Sequence, residues 1–137
     1  MADARYALER DIFELILEDE TRVEQVIPLL EKNINDRKEL LSVNATVSEL
    51  VKNDQEFHSI LSHECGNLLL QIVYDYIVDS FKQYLMNTTS GQSTDDENQT
   101  IRDHTEILEA LRHRSFSEAK IASKNSMNAW TRLMLKQ

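Results

Sequence analysis

Apolar residues recur at helical spacing along most of the chain, in segments separated by short polar stretches. After Thr46, the residues Val47, Leu50, Phe57, Leu61 and Cys65 share one face of a wheel drawn at about 100° per residue. After Gln99, the residues Ile101, Ile107, Leu108 and Leu111 do the same, and near the end Ala119, Ala122, Ala129, Trp130 and Leu133 form a third stripe. The segment from Leu68 to Leu85 is more uniformly apolar. The pattern predicts an all-α chain.

Helix starts are set by Ser or Thr followed three residues later by Glu, because that pair satisfies two orphan backbone donors reciprocally. Thr21/Glu24, Thr46/Glu49 and Ser115/Glu118 fit it, Thr100/Asp103 fits it less well, and Gly66-Asn67 reads as a break. Together they predict helices near 3–19, 22–41, 46–64, 68–86, 100–113 and 115–135. Pro28 falls inside the second, where a lost backbone bond predicts a kink or a delayed start. Asn87 to Gln99 has no apolar residue and collects turn formers, so it reads as a mobile loop.

The same wheels place polar groups where apolar ones belong. Asp54 falls within roughly 60° of the apolar face of its helix, with His58 about 40° away. A carboxylate and an imidazole four residues apart can converge on one point, as a metal ion or a polar ligand requires. His104 lies inside the apolar stripe of the fifth helix, and Ser126 is the most central polar position of the last. A buried histidine can simply be hydrogen-bonded core, and Asp54 can be neutralised by a histidine as an ion pair. A shared metal or ligand site and that ion pair both stay open at this point. His63 and His113 fall about 180° from Asp54 and His104 on their wheels, so both should be solvated and outside any site.

Cys65 lies on the inner face with no evident activating group, which makes it a packing residue, and a single cysteine forms no internal disulfide. Met127, Trp130, Leu133 and Met134 read as core or dimer contact, and Tyr74, Tyr76 and Tyr84 as structural. A length of 137 residues with 41% hydrophobic content suits one domain. The formal charge of −9 disfavours direct nucleic-acid binding. No run is apolar enough to span a bilayer, and the start lacks the regions of a signal peptide, so a cytoplasmic protein is expected.

Asp54-Gln-Glu-Phe57-His58, followed by Leu61, Gly66-Asn67 and Leu70, resembles the D-x-x-F-H-x-x-L segment of the C-terminal effector-binding domain of FadR-subfamily GntR transcription regulators, the FCD domain. Asp103-His104 with Ile107, Leu108 and Ala110 is similar to that family's E-H-x-x-I-x-x-A segment, and Arg5, Leu8 and Glu9 to the R-x-x-L-E of its first helix. The resemblance implies an antiparallel bundle of about six to seven helices with a central ligand cavity. It also implies a divalent metal held by Asp54, His58 and His104, with small effectors, commonly carboxylates, binding at or beside it. Ser126 stands where metal-binding members supply a further histidine from the last helix. That leaves a three-ligand site for Zn²⁺, Ni²⁺ or Mn²⁺, which water or an effector carboxylate would complete.

Arg5 is the expected partner of an effector carboxylate. A homodimer is expected from the resemblance alone. Family members carry a winged-helix DNA-binding domain ahead of this one, and only a few residues precede Arg5, so DNA would be reached only through a domain absent from this chain. Two other classes remain. A metal-dependent hydrolase would need a base beside the metal, and a di-iron bundle would need Glu-x-x-His pairs that the sequence lacks. A metal-free helical interaction domain would leave Asp54 paired with a histidine. The expectation is a sensor without catalysis.

Overall fold

The computed structural model describes residues 2–88 and 94–135, with side chains described over 3–80 and 98–128. Six α-helices occupy them: α1 Ala2–Leu17, α2 Glu20–Ser42, α3 Val47–Glu64, α4 Leu68–Thr88, α5 Thr94–Arg112 and α6 Phe116–Leu135. No strand occurs among the described residues, and the all-α expectation holds. Helix α1 packs against α2, α3, α4 and α6, while α5 lies against α2 and α6. The bundle closes around α1, whose inward face carries Ile12, Phe13 and Ile16, all fully buried. Around them Val23, Val26 and Leu30 of α2, Phe57 and Leu61 of α3, and Ile107 and Leu111 of α5 complete one continuous core.

The helix ends explain most of the boundaries. Thr46 caps α3 as expected: its hydroxyl accepts from Glu49 N at 3.2 Å, and Glu49 Oε2 accepts from Thr46 N at 2.8 Å. Ser115 likewise accepts from Glu118 N at 3.1 Å, but the Glu118 carboxylate turns instead to His113. The Thr21/Glu24 start is not used. Asp19 caps α2 by accepting from Thr21 N at 2.9 Å, so the helix begins two residues earlier. Asn44 and Arg114 adopt φ of 53° and 52°, and each lets the next residue donate back to a carbonyl five residues earlier, closing α2 and α5.

Of the two outcomes expected at Pro28, the delayed start does not occur: α2 begins at Glu20 and runs through the proline. Both Pro28 and Glu24, whose carbonyl loses its partner, lie on the exposed face, so water can replace the missing bond. The stretch Asn87 to Gln99 is also not a loop throughout, since Asn87 and Thr88 continue α4 and residues 94–99 begin α5. Thr100/Asp103 therefore lies inside α5, where Asp103 accepts from Gln99 Nε2 at 2.9 Å. Residues 95–97 are all acidic, which favours a helix N-terminus through the peptide dipoles even without an apolar stripe.

A polar seam fixes α3 on α2. Asn33 and Asn53 exchange side-chain-to-carbonyl bonds of 3.1 and 3.2 Å, and Arg37 Nη1 donates to Leu50 O at 3.0 Å and Asn53 Oδ1 at 3.1 Å. All three side chains are buried. Because Asn53 immediately precedes Asp54, this seam sets the height and rotation at which Asp54 enters the bundle.

At the other end of α3, Arg22 Nη1 donates to Leu15 O at 3.0 Å and Cys65 O at 3.1 Å, capping α1 and α3 together. Gly66, at φ +77°, leaves room for it: a Cβ there would stand 2.5 Å from Arg22 Nη2.

Candidate metal centre

Asp54 and His58 are one helical turn apart on α3, and His104 meets them from α5. His104 Nε2 lies 3.0 Å from Asp54 Oδ1, and His58 Nε2 lies 3.5 Å from the same oxygen. One donor atom from each of the three residues falls within a sphere of mutual distances no longer than 4.8 Å. His58 is fully buried, His104 nearly so, and the Asp54 side chain is 19% exposed, so the trio opens toward solvent at the carboxylate.

Phe57 orients His104. Its ring stacks on the imidazole at a centroid distance of 3.8 Å and an interplanar angle of 6°. His104 Nδ1 is buried and has no hydrogen-bond partner among the described residues. Stacking on Phe57 and the Nε2 contact with Asp54 at 3.0 Å therefore hold this ring.

His58 is held quite differently. Arg5 Nη2 stands 2.8 Å from its Nε2 and 3.1 Å from its Nδ1. Tyr74 Oη stands 3.1 Å from Nδ1 and donates to Glu9 Oε2 at 2.5 Å. The Glu9 carboxylate also accepts from Arg5 Nε at 3.3 Å and from Ser123 Oγ at 3.1 Å. Arg5, Glu9, Tyr74 and Ser123 are all buried, so α1, α4 and α6 enclose the far side of His58 in one polar network.

Charges settle accordingly. Burial opposes ionisation of Glu9, but the Arg5 guanidinium, His58 and the Tyr74 hydroxyl together hold its pKa down to about 2. Burial and the Glu9 charge push the Tyr74 hydroxyl well above the usual phenol range, which keeps it a donor. Burial likewise works against Asp54, yet hydrogen bonds from His104 and His58 hold it well below the ordinary carboxylate range. For His104 burial wins over Asp54, and its pKa falls to about 4. For His58 burial and Arg5 are outweighed by Glu9 and Asp54, and its pKa rises.

The pH dependence of stability follows. In the metal-free protein His104 stays neutral while the unfolded chain's imidazole protonates below about pH 6.5, so the unfolded state binds more protons and stability is lost as pH falls from there toward 4. His58, with its raised pKa, contributes fully throughout that window and does not offset the loss. The expected fall is on the order of 3 kcal/mol, with Glu9 adding a further loss between about pH 4.5 and 2. Urea titrations at pH 7, 5.5 and 4 check it; a constant midpoint across them would contradict the buried neutral His104.

The residues read from the sequence are distributed as follows. Asp54, His58 and His104 come together, with Arg5 against His58. Ser126 is buried on α6, but no hydrogen bond among the described residues ties it to the trio. His63 and His113 are exposed and pair with Asp75 and Glu118, away from the site. Cys65 is buried as packing, and so is Met127; the side chains of Trp130, Leu133 and Met134 lie outside the described residues, as does that of Tyr84.

Glu9, Tyr74 and Ser123 were not singled out as site residues. A wheel of α1 would have found Glu9, which sits between Ile12, Phe13 and Ile16, and one of α6 would have put Ser123 beside Ala119, Ser126 and Met127. Nothing local distinguishes Tyr74 from its neighbouring tyrosine.

One carboxylate oxygen and two imidazole nitrogens are a donor set for a first-row divalent ion, and the 3.0 and 3.5 Å separations bracket the roughly 3.3 Å expected between ligands of a tetrahedral zinc. The residues fit a metal. Comparison with known families identifies the all-helical bundle that holds this trio. The sequence profile of the FCD domain family matches residues 1–129. The chain belongs to the FCD domain family, and the resemblance drawn from its Asp54-to-His58 and Asp103-His104 segments is borne out. A solved structure of a GntR protein from Streptococcus agalactiae is similar, with a TM-score of 0.64 and 24% sequence identity over 92% of this chain and 59% of that one. At that identity the likeness speaks for the fold, and this chain spans 59% of that protein's length. No curated protein sequence matches the chain significantly.

Proposed function

We propose that this chain is the effector-sensing domain of a GntR transcription regulator of the FadR subfamily, acting in the cytoplasm. A small molecule, of carboxylate class, binds in the bundle at a divalent metal held by Asp54, His58 and His104. The observation that carries this reading is the convergence of those three donors beside a buried guanidinium. The ion, Zn²⁺, Ni²⁺ or Mn²⁺, would supply a Lewis-acidic positive centre that an effector carboxylate completes. Arg5 provides the second positive group, and Ser126, in place of a fourth imidazole, leaves a coordination position for the effector or water.

Binding rather than turnover is proposed. Glu9, the other carboxylate of the network, is committed to Arg5, Tyr74 and Ser123 and offers no base for hydrolysis. DNA contact belongs to a winged-helix domain outside this chain, and an effector shifts its placement only as far as it binds one arrangement more tightly. In a thermal-shift screen of di- and hydroxycarboxylates, zinc-loaded protein should be stabilised by some and chelator-treated protein by none. Equal shifts in Asp54→Ala and wild type would sink the reading.

The homodimer has a candidate face on α4. Leu68, Leu69, Ile72, Val73 and Tyr76 are exposed along one side of that helix, flanked by Asp11, Glu14 and Glu18 of α1. A second copy is the proposed occupant, because a two-fold axis lays one such helix on another and meets each apolar side chain with its like while the carboxylates stay at the rim. Light scattering should find a dimer that Leu69→Glu with Ile72→Glu converts to monomer; a monomeric wild type refutes it.

A further inference from the structure

Phe57 joins the hydrophobic core to both imidazoles of the trio. It follows Asp54 by three residues on α3 and directly precedes His58, and it is fully buried in the core cluster, so packing fixes its ring. One face lies flat on His104, with 3.8 Å between centroids and 6° between planes. The same ring meets His58 nearly at right angles, 5.4 Å away.

A histidine that ligates a metal ordinarily donates its second ring N–H to a carboxylate, a carbonyl or water, and that bond fixes the plane and tautomer of the ring. His104 departs from this arrangement. Without a metal its Nε2 donates to Asp54 Oδ1 at 3.0 Å, because an ionised carboxylate only accepts. Ligation through Nε2 needs the lone pair there and the ring proton on Nδ1, so the bond to Asp54 is given up. Nδ1 is buried and has no hydrogen-bond partner among the described residues. A phenyl ring stacked face to face cannot accept an in-plane N–H, so what still holds the imidazole is the stack itself.

We propose that Phe57 is the positioning residue of the metal centre, its face taking over at His104 the orienting role of an outer hydrogen bond. This rests on the metal reading above. The stack sets the plane of the imidazole, and with it the direction of the Nε2 lone pair, whether or not an ion is bound. Metal affinity is thereby tied to the packing of the core through one aromatic face.

The test is the zinc affinity, by competition with a fluorescent chelator at pH 8, of wild type, Phe57→Leu, Phe57→Tyr and Phe13→Leu. Phe57→Leu keeps an apolar side chain but removes the stack, and it should bind zinc roughly ten- to a hundredfold more weakly, as when an outer partner of a ligating histidine is lost. Phe57→Tyr keeps the aromatic face and should bind as wild type does. Phe13, an equally buried ring on α1, supplies the control: Phe13→Leu should lower stability and leave zinc affinity unchanged. Upfield ring-current shifts of the His104 ring protons report the stack directly, and they should persist in Phe57→Tyr and vanish in Phe57→Leu. Circular dichroism confirms each fold. If Phe57→Tyr does not fold, the contrast between the two leucine variants decides; if Phe57→Leu does not, Phe57→Met takes its place. Zinc bound equally by wild type and Phe57→Leu overturns the proposal and leaves the metal reading standing, as does an equal loss in Phe13→Leu. No uptake by wild type removes both.

Discussion

Dialysed against micromolar zinc, the protein without a histidine tag is expected to retain about one equivalent, and Asp54→Ala and His104→Ala to lose it. Substituting groups that merely orient a ligand costs roughly ten- to a hundredfold in metal affinity, and deleting one ligand of three should cost at least the upper figure. His63→Ala is the control, because that imidazole is exposed and paired with Asp75. Zinc at a hundredfold excess over its dissociation constant would stabilise the fold by about 2.7 kcal/mol, so elemental analysis and the melting curve should agree. Metal retained equally by Asp54→Ala and wild type would place it elsewhere; none in wild type would leave the trio as an Asp–His ion pair within the core.

Glu9→Ala is expected to produce the largest loss of stability of any single substitution discussed. It strands the Arg5 guanidinium in the core and removes the acceptor of Tyr74 and Ser123. Breaking a buried pair from one side costs roughly 3–5 kcal/mol, which for a domain of this size lowers the melting temperature by about 10–15 °C. Replacing both partners with apolar residues, Arg5→Met with Glu9→Leu, should recover much of that loss, since no uncompensated charge remains. Denaturant titrations of the three proteins decide it. A change under 1 kcal/mol for Glu9→Ala would mean that the network contributes little to folding.

The helices were legible because a bundle of this kind buries one stripe per helix, and spacing alone exposes the stripe. Thr46 and Glu49 marked the start of α3 because both halves of their exchange are local. Thr21 misled because Asp19, two residues earlier, competes for the same role. The first turn of α5 was hidden by its polarity: helix there propagates from the docked part of the segment, whose apolar residues lie further on. At the site, Asp54, His58 and His104 stood out as polar residues on apolar faces. Glu9 carried the same signal, yet its partners Tyr74 and Ser123 come from helices whose packing no local pattern reveals.

The Arg22 guanidinium, which holds the last carbonyls of α1 and α3 together, gives the bundle a fixed end. Arg5 and Glu9 lie toward the opposite end of α1, against His58. A shift of the Arg5–Glu9 face of α1 against His58 is therefore expected to swing the helix about the Arg22 clasp, as a lever about its fulcrum, with the widest travel at the residues nearest its N-terminus. The fold would thus amplify a small motion at the metal centre without loosening its core.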